Sequence, residues 1–119
     1  SNYFAGGMVA YTNEIKTNII GVPTSILDKH GAVSEETVLS MVENGVRVLG
    51  VDVAVAISGI AGPTGGTPEK PVGTIWIAVG NSKHIETKRL QLGKKREQNI
   101  ILSAQSALNM LRLFVLNHY

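Results

Sequence analysis

The order and periodicity of apolar residues in this chain predict an α/β fold, a three-layer α/β/α sandwich with a mixed central sheet. Residues 53–58, VAVAIS, and residues 74–79, TIWIAV, are continuous apolar runs, the pattern of neighbouring strands covered on both faces. Segments with helical spacing flank them. Val38, Met41, Val42, Gly45, Val48 and Leu49 form one apolar stripe, and Ile100, Ile101, Ala104, Ala107, Leu108, Leu111 and Val115 form the other. Helices on either side of a strand–loop–strand unit pack most economically as layers on both faces of one sheet.

The remaining elements follow in chain order. Residues 8–11, after the Gly6-Gly7 pair, read as a short strand. Asn13 caps a helix to about Ile20, where Gly21 stops it, and Lys16 falls in its second turn. Pro23-Thr24 opens a helix over 25–30 that Gly31 ends. Ser34 caps the next helix, with Thr37 where a complete capping box would have Glu or Gln, and Gly50 terminates it after Leu49. Asn81-Ser82 makes a tight turn into a half-exposed strand over 84–92, and a long helix spans about 95–116. No internal repeat is present.

With 119 residues, 44% hydrophobic and 17% charged, the chain is sized for one globular domain, 1–119. It opens Ser1-Asn2 and enters its first strand almost at once, so further natural sequence is expected upstream. The absence of cysteine excludes disulfides, thiolate metal sites and a cysteine nucleophile, and points to a cytoplasmic setting. No uninterrupted apolar run is long enough to span a bilayer, so no membrane partner is expected. Net charge is +2, and Lys94, Lys95 and Arg96 cluster without neighbouring aromatics, which argues against a nucleic-acid surface. His30, His84 and His118 are scattered, with no acidic companion at ligand spacing. They read as structural or exposed, and neither metal nor cofactor is expected.

Chemistry concentrates in residues 54–73, AVAISGIAGPTGGTPEKPVG. A long loop rich in glycine and proline leaves the end of a strand, where α/β proteins place ligands. Gly59, Gly62, Gly65 and Gly66 let backbone N–H groups approach an anion or a carbonyl, and Ser58, Thr64 and Thr67 add hydroxyls. That mixture suits an oxyanion hole or a phosphate nest. No GKS or GKT follows, so it is not a Walker A loop, and the glycine spacing is not the dinucleotide fingerprint. Arg96, at the start of the last helix, can clamp phosphate or carboxylate; equally, Lys94, Lys95 and Arg96 make a solvated cap. Ser1, Tyr11 and Lys16 supply a hydroxyl, a phenol and an amine, the inventory for a serine nucleophile with a lysine base. Such a lysine must have its pKa lowered by burial or a neighbouring cation. On spacing alone, Lys16 reads more simply as a surface lysine.

The strings GGMVAYTNEIK at 6–16, HGAVSEE at 30–36 and SGIAGPTGGTPEKPVGTIW at 58–76 resemble the CinA C-terminal domain family, the nicotinamide-nucleotide amidohydrolases, over essentially the whole chain. The resemblance implies hydrolysis of the carboxamide of nicotinamide mononucleotide to nicotinate mononucleotide and ammonia, in pyridine-nucleotide recycling. It implies a homodimer, and in some members a preceding molybdopterin-binding-like domain. By motif, the family's serine falls on Ser1, its tyrosine on Tyr11 and its lysine on Lys16. Ser58 opens the GIAGP motif, whose Gly59, Gly62, Thr64, Gly65 and Gly66 would hold the substrate, and the family's arginine falls on Arg96. The family's upstream E-S-C-T-G-G segment has no counterpart here, and Lys95 stands where members often have Asp. Two other readings accompany this one: a non-catalytic nucleotide-binding or dimerisation module, and a true amino-terminal nucleophile in which the α-amine of Ser1 is the base.

Overall fold

A computed structural model of the chain describes residues 2–119; Ser1, the expected nucleophile, lies outside the described residues. The fold is organised on strand β2, Thr74–Gly80, whose residues are nearly all buried. Strand β1, Ala54–Gly59, and strand β3, Ile85–Gln91, pair with it antiparallel on its two edges, in the order β1-β2-β3. Ala56 lies opposite Ala78, Ile57 opposite Ile77, and Ile75 opposite Leu90.

Alternation along β2 sends its side chains into separate cores. Ala78 and Trp76, with Ala54 and Ala56 of β1 and Ile85 of β3, meet Val38, Met41 and Val42 of helix α3, Glu35–Leu49. Ile75 and Ile77, with Leu90 and Leu92, meet Ala107 and Met110 of helix α4, Arg96–His118. The sheet is therefore the middle of three layers. A third cluster, Ile20, Val22 and Leu27, joins Met8 and Ala10 to helix α2, Thr24–His30, and to Met41 of α3.

Local chemistry sets the helix ends. The Ser34 hydroxyl accepts from the Thr37 N–H at 3.2 Å and donates to the Gly31 carbonyl at 2.9 Å. Gly50, at φ +62°, then stops α3 in the left-handed conformation that an L side chain disfavours. Helix α1 is Asn13–Ile15, capped by Thr12 rather than Asn13, because the Thr12 hydroxyl is the acceptor that reaches Ile15 N–H at 3.2 Å. It continues as a π-helical turn over Lys16–Ile20 that Gly21 closes.

Several expectations are corrected. The sheet is antiparallel among the described residues, not mixed, because the β1–β2 connection returns without the helical crossover a parallel pair needs. Residues 8–11 form no strand. They pair with none of the strands among the described residues, and Met8 and Ala10 instead pack as irregular backbone against the third cluster. Strand β1 lies at an edge, and the core under α4 is built on Ile75 and Ile77 of β2 rather than on β1, so Val55 and Ile57 are more than a third exposed where coverage on both faces was expected. Val48 and Leu49 are also exposed, in the last turn of α3.

The buried stripe of α4 is Asn99, Ser103, Ala107 and Phe114, which keeps Ala107 of the expected apolar stripe and is otherwise turned around the helix from it. Small side chains at 103 and 107 allow close approach to β2, while Ile100, Ile101, Leu108 and Val115 remain exposed. By length and composition alone, with a mean hydropathy of 1.3, α4 could cross a membrane, although no uninterrupted apolar run predicts it. Phe114 is nonetheless fully buried. Replacing it with Ala should lower stability by about 3–5 kcal/mol through cavity formation, read as a shift of the urea midpoint with an unchanged m-value.

Candidate functional site

The loop over 60–73 leaves β1 and returns as β2. Its base is closed by Gly73 N–H donating to the Ile60 carbonyl at 2.7 Å and Ile60 N–H donating to Thr74 at 3.0 Å. Leu92 N–H donates to the Gly73 carbonyl at 2.8 Å, which joins this base to the exit of β3. A Cβ on Gly73 would fall 2.4 Å from the Leu92 carbonyl oxygen, so only glycine allows that approach.

Side chains tether the rest of the loop. Arg96 Nη1 donates to the Gly62 carbonyl at 3.2 Å, and Asn99 Nδ2 donates to the Ala61 carbonyl at 2.9 Å. On the other side the Lys70 ammonium donates to the His30 carbonyl at the end of α2. Between these anchors Pro63, Thr64, Gly65, Gly66 and Thr67 are exposed, and the N–H groups of Thr64, Gly65 and Gly66 make no hydrogen bond among the described residues. The apex thus carries exposed backbone N–H and C=O groups without partners among the described residues, with the Arg96 guanidinium at the root of the loop.

The amino-terminal residues form a second constellation. Lys16, at the start of the π-helical turn, is only 6% exposed, and its amine donates to the Ala10 carbonyl at 2.7 Å. No carboxylate lies within ion-pair distance of it among the described residues. Burial holds its pKa below the ordinary lysine value, the condition for a lysine base. The surface-lysine reading is thereby overturned. Tyr11 is 86% exposed and makes no hydrogen bond to Lys16, so the structure does not bring these residues together.

Ser58 connects the constellations. Its hydroxyl donates to the Ala32 carbonyl at 2.7 Å, and Ala32 and Ala10 pack against the same buried cluster. Gly59 has its own reason for lacking a side chain, since a Cβ there would strike Ile75 Cδ1 at 2.3 Å. Arg96 is thus bonded to the loop at Gly62, whereas Ser58 is bonded to Ala32; Ala32 packs against the same cluster as Ala10, the acceptor of the Lys16 amine. A separate open cleft of about 350 Å³, lined by His30, Ser34, Glu36, Lys70, Trp76 and Arg89, contains neither Lys16 nor the loop apex.

Spacing missed several features. Folding gives His30 and His118 acidic neighbours, with Nδ1 of His30 3.5 Å from Glu36 and Nε2 of His118 3.6 Å from Glu86. Asn99 and Lys70 went unrecognised because their acceptors are distant backbone carbonyls. The signal for Asn99 was the polar interruption, with Ser103, of an otherwise apolar helix.

Burial of Lys16 has a pH signature. The unfolded chain, with lysine near 10.5, binds the proton more tightly than the folded one, so stability contributed at this residue rises with pH between the two pKa values. The cost of the buried charge is full below the folded pKa and vanishes above the unfolded one. Lys16→Met should therefore gain stability over wild type at neutral pH, and the gain should shrink as urea melts are repeated towards pH 10.5.

The family model for the CinA C-terminal domain matches residues 1–115. The chain is 50% identical over 112 residues to a CinA-like protein of Cytophaga hutchinsonii, covering 94% of this chain and 27% of that protein. It is 49% identical over 115 residues to a CinA-like protein of Thermotoga maritima, covering 97% and 28%. The chain thus spans about a quarter of the length of these curated relatives. Among solved structures it is similar to the competence/damage inducible protein CihA from Agrobacterium tumefaciens, with TM-score 0.84, 35% identity, and coverage of 91% of this chain and 66% of that one. The competence damage-inducible protein A (ComA) from Klebsiella pneumoniae superposes with TM-score 0.86 at 35% identity, covering 93% and 68%.

Proposed function

This chain belongs to the CinA C-terminal domain family, and from that premise we propose that it hydrolyses the carboxamide of nicotinamide mononucleotide, releasing ammonia and nicotinate mononucleotide. The observation that carries the reading is the buried Lys16, without a counter-ion and with its pKa lowered by burial. A lysine placed in this way has the burial that a lysine base requires and is not a surface charge.

In the mechanism, neutral Lys16 takes the proton of the Ser1 hydroxyl as its oxygen attacks the amide carbon. The C–N bond breaks, ammonia departs with the proton that Lys16 returns, and an acyl-serine remains. Water, deprotonated by the same amine, resolves the ester and restores both groups. The N–H groups of Thr64, Gly65 and Gly66 hold the oxyanion or the nucleotide phosphate, and Ser58, whose hydroxyl proton is given to the Ala32 carbonyl, anchors the strand end from which the loop leaves. Arg96 neutralises the phosphate, and Tyr11 has the role of orienting the pair or relaying a proton.

The assay is ammonia release from nicotinamide mononucleotide by the full-length protein. Lys16→Ala and Ser1→Ala should each reduce turnover by about 10²–10⁴-fold, and wild-type rates in either would remove the dyad. The exposure of Tyr11 favours a second reading, a module that binds the nucleotide without cutting it. Binding of the mononucleotide with no ammonia released would select it.

The homodimer belongs to the same proposal. Ile101 and Leu108 on the outer flank of α4 are 56% and 64% exposed, an apolar surface of the kind that marks a protein contact. Leu108→Lys should convert a dimer to a monomer in sedimentation velocity, and an unchanged sedimentation coefficient would place the contact elsewhere.

A further inference from the structure

We infer that Asn99 is a positioning residue for the phosphate end of the ligand, acting through the glycine loop and Arg96; the inference rests on the substrate reading above. Asn99 is 1% exposed, and its side-chain amide donates to two backbone carbonyls, Ala61 and Gly93, each at 2.9 Å. Both acceptors are carbonyl oxygens, so only the NH₂ group can serve them and the orientation of the amide is determined. One side chain thereby joins the glycine loop to the turn that precedes α4.

The peptide geometry shows what this joint does. Carbonyl and N–H point in opposite directions in a trans peptide, so holding the Ala61 carbonyl towards α4 turns the Gly62 N–H away from the helix. The next carbonyl, that of Gly62, is held by Arg96, which precedes Asn99 by one helical turn on the same face. Consecutive loop carbonyls are therefore fixed by side chains spaced three apart on one helix. Asn99 sets the height of the loop against Arg96, and with it the distance from the guanidinium to the free N–H groups beyond Pro63.

Gly62 fits this arrangement. Its φ is +89°, and a Cβ there would meet Val72 Cγ1 at 2.4 Å and the Lys94 carbonyl oxygen at 3.4 Å. The left-handed backbone and the contact with Val72 exclude a side chain at Gly62, the Lys94 carbonyl of the turn lies at contact distance, and Asn99 keeps the loop seated there. Without the amide, the Ala61 and Gly93 carbonyls lose their shared donor and the loop separates from Arg96.

The test uses the full-length protein with Asn99→Leu, an apolar replacement of similar volume, and Asn99→Ser, which retains one hydroxyl donor. Affinity for nicotinamide mononucleotide should fall about tenfold or more in Asn99→Leu, the equivalent of one or two lost hydrogen bonds. Affinity for nicotinamide riboside, which lacks the phosphate, should change less than about twofold. Asn99→Ser should lie between and covers the case in which the leucine variant fails to fold. Amide hydrogen exchange should quicken over residues 61–66 in both variants and stay unchanged in β2. Equal losses for nucleotide and nucleoside, or unchanged loop exchange, would overturn the inference. Wild-type protein that binds neither ligand would instead refute the substrate reading, and loop exchange would still decide whether Asn99 orders the loop.

Discussion

Burial of β2 is the constraint on which the rest of this structure depends. The strand has a helix on each face and a strand on each edge, so almost every atom of it is removed from water. Its backbone groups are satisfied by the β1 and β3 ladders, and its side chains by α3 and α4. A strand held in this way can neither slip nor twist independently of its neighbours, because a one-residue shift would exchange the α3-facing and α4-facing rows. The glycine loop enters the structure at the start of this strand, and its base inherits that rigidity through the pairing of Ile60 with Gly73 and Thr74.

The loop itself has little intrinsic order. Its glycines have more conformations to lose than any other residue, and no regular ladder compensates them. What compensates them is tethering from elements far away in sequence: Lys70 reaches the end of α2, and Arg96 and Asn99 reach back from α4. Each tether ends on a backbone carbonyl of the loop or of its neighbour, so the N–H groups at the apex remain unengaged. The carbonyls of Ala61 and Gly62 are thereby fixed against α4, while the N–H and carbonyl groups of Thr64, Gly65 and Gly66 have no partner among the described residues.

Most helix boundaries were legible in the sequence because capping is local chemistry: Ser34, Gly21, Gly31 and Gly50 act within a turn of where they stand. The class of the fold was legible for a similar reason, since apolar runs and helical stripes report burial directly. The register of α4 was not. Its most apolar stripe faces outward, and the stripe that meets the sheet was chosen by closeness of approach at Ser103 and Ala107 and by the hydrogen bonds of Asn99. The sheet was misread at β1 and at residues 8–11 because apolar sequence specifies a tendency to pair without specifying a partner. In the site, Ser58, Gly62 and Arg96 could be named from motif, but the Ser58–Ala32 and Arg96–Gly62 hydrogen bonds run between residues more than twenty positions apart and appear only in three dimensions.

Lys16 shows why a site residue escapes the rules that read the rest of the chain. Helical spacing assigns a lysine to the solvated face, because burying an ammonium without a partner is costly. Here the π-helical turn places Lys16 inward, and a single carbonyl receives its amine in place of an anion. A carboxylate partner would make the position more stable and would hold the amine protonated, which would abolish its use as a base. The carbonyl orients the amine without adding a charge that would retain the proton. The local instability and the lowered pKa are therefore one physical fact, and the well-packed cluster of Ile20, Val22 and Leu27 beside it supplies the apolar burial that offsets the cost.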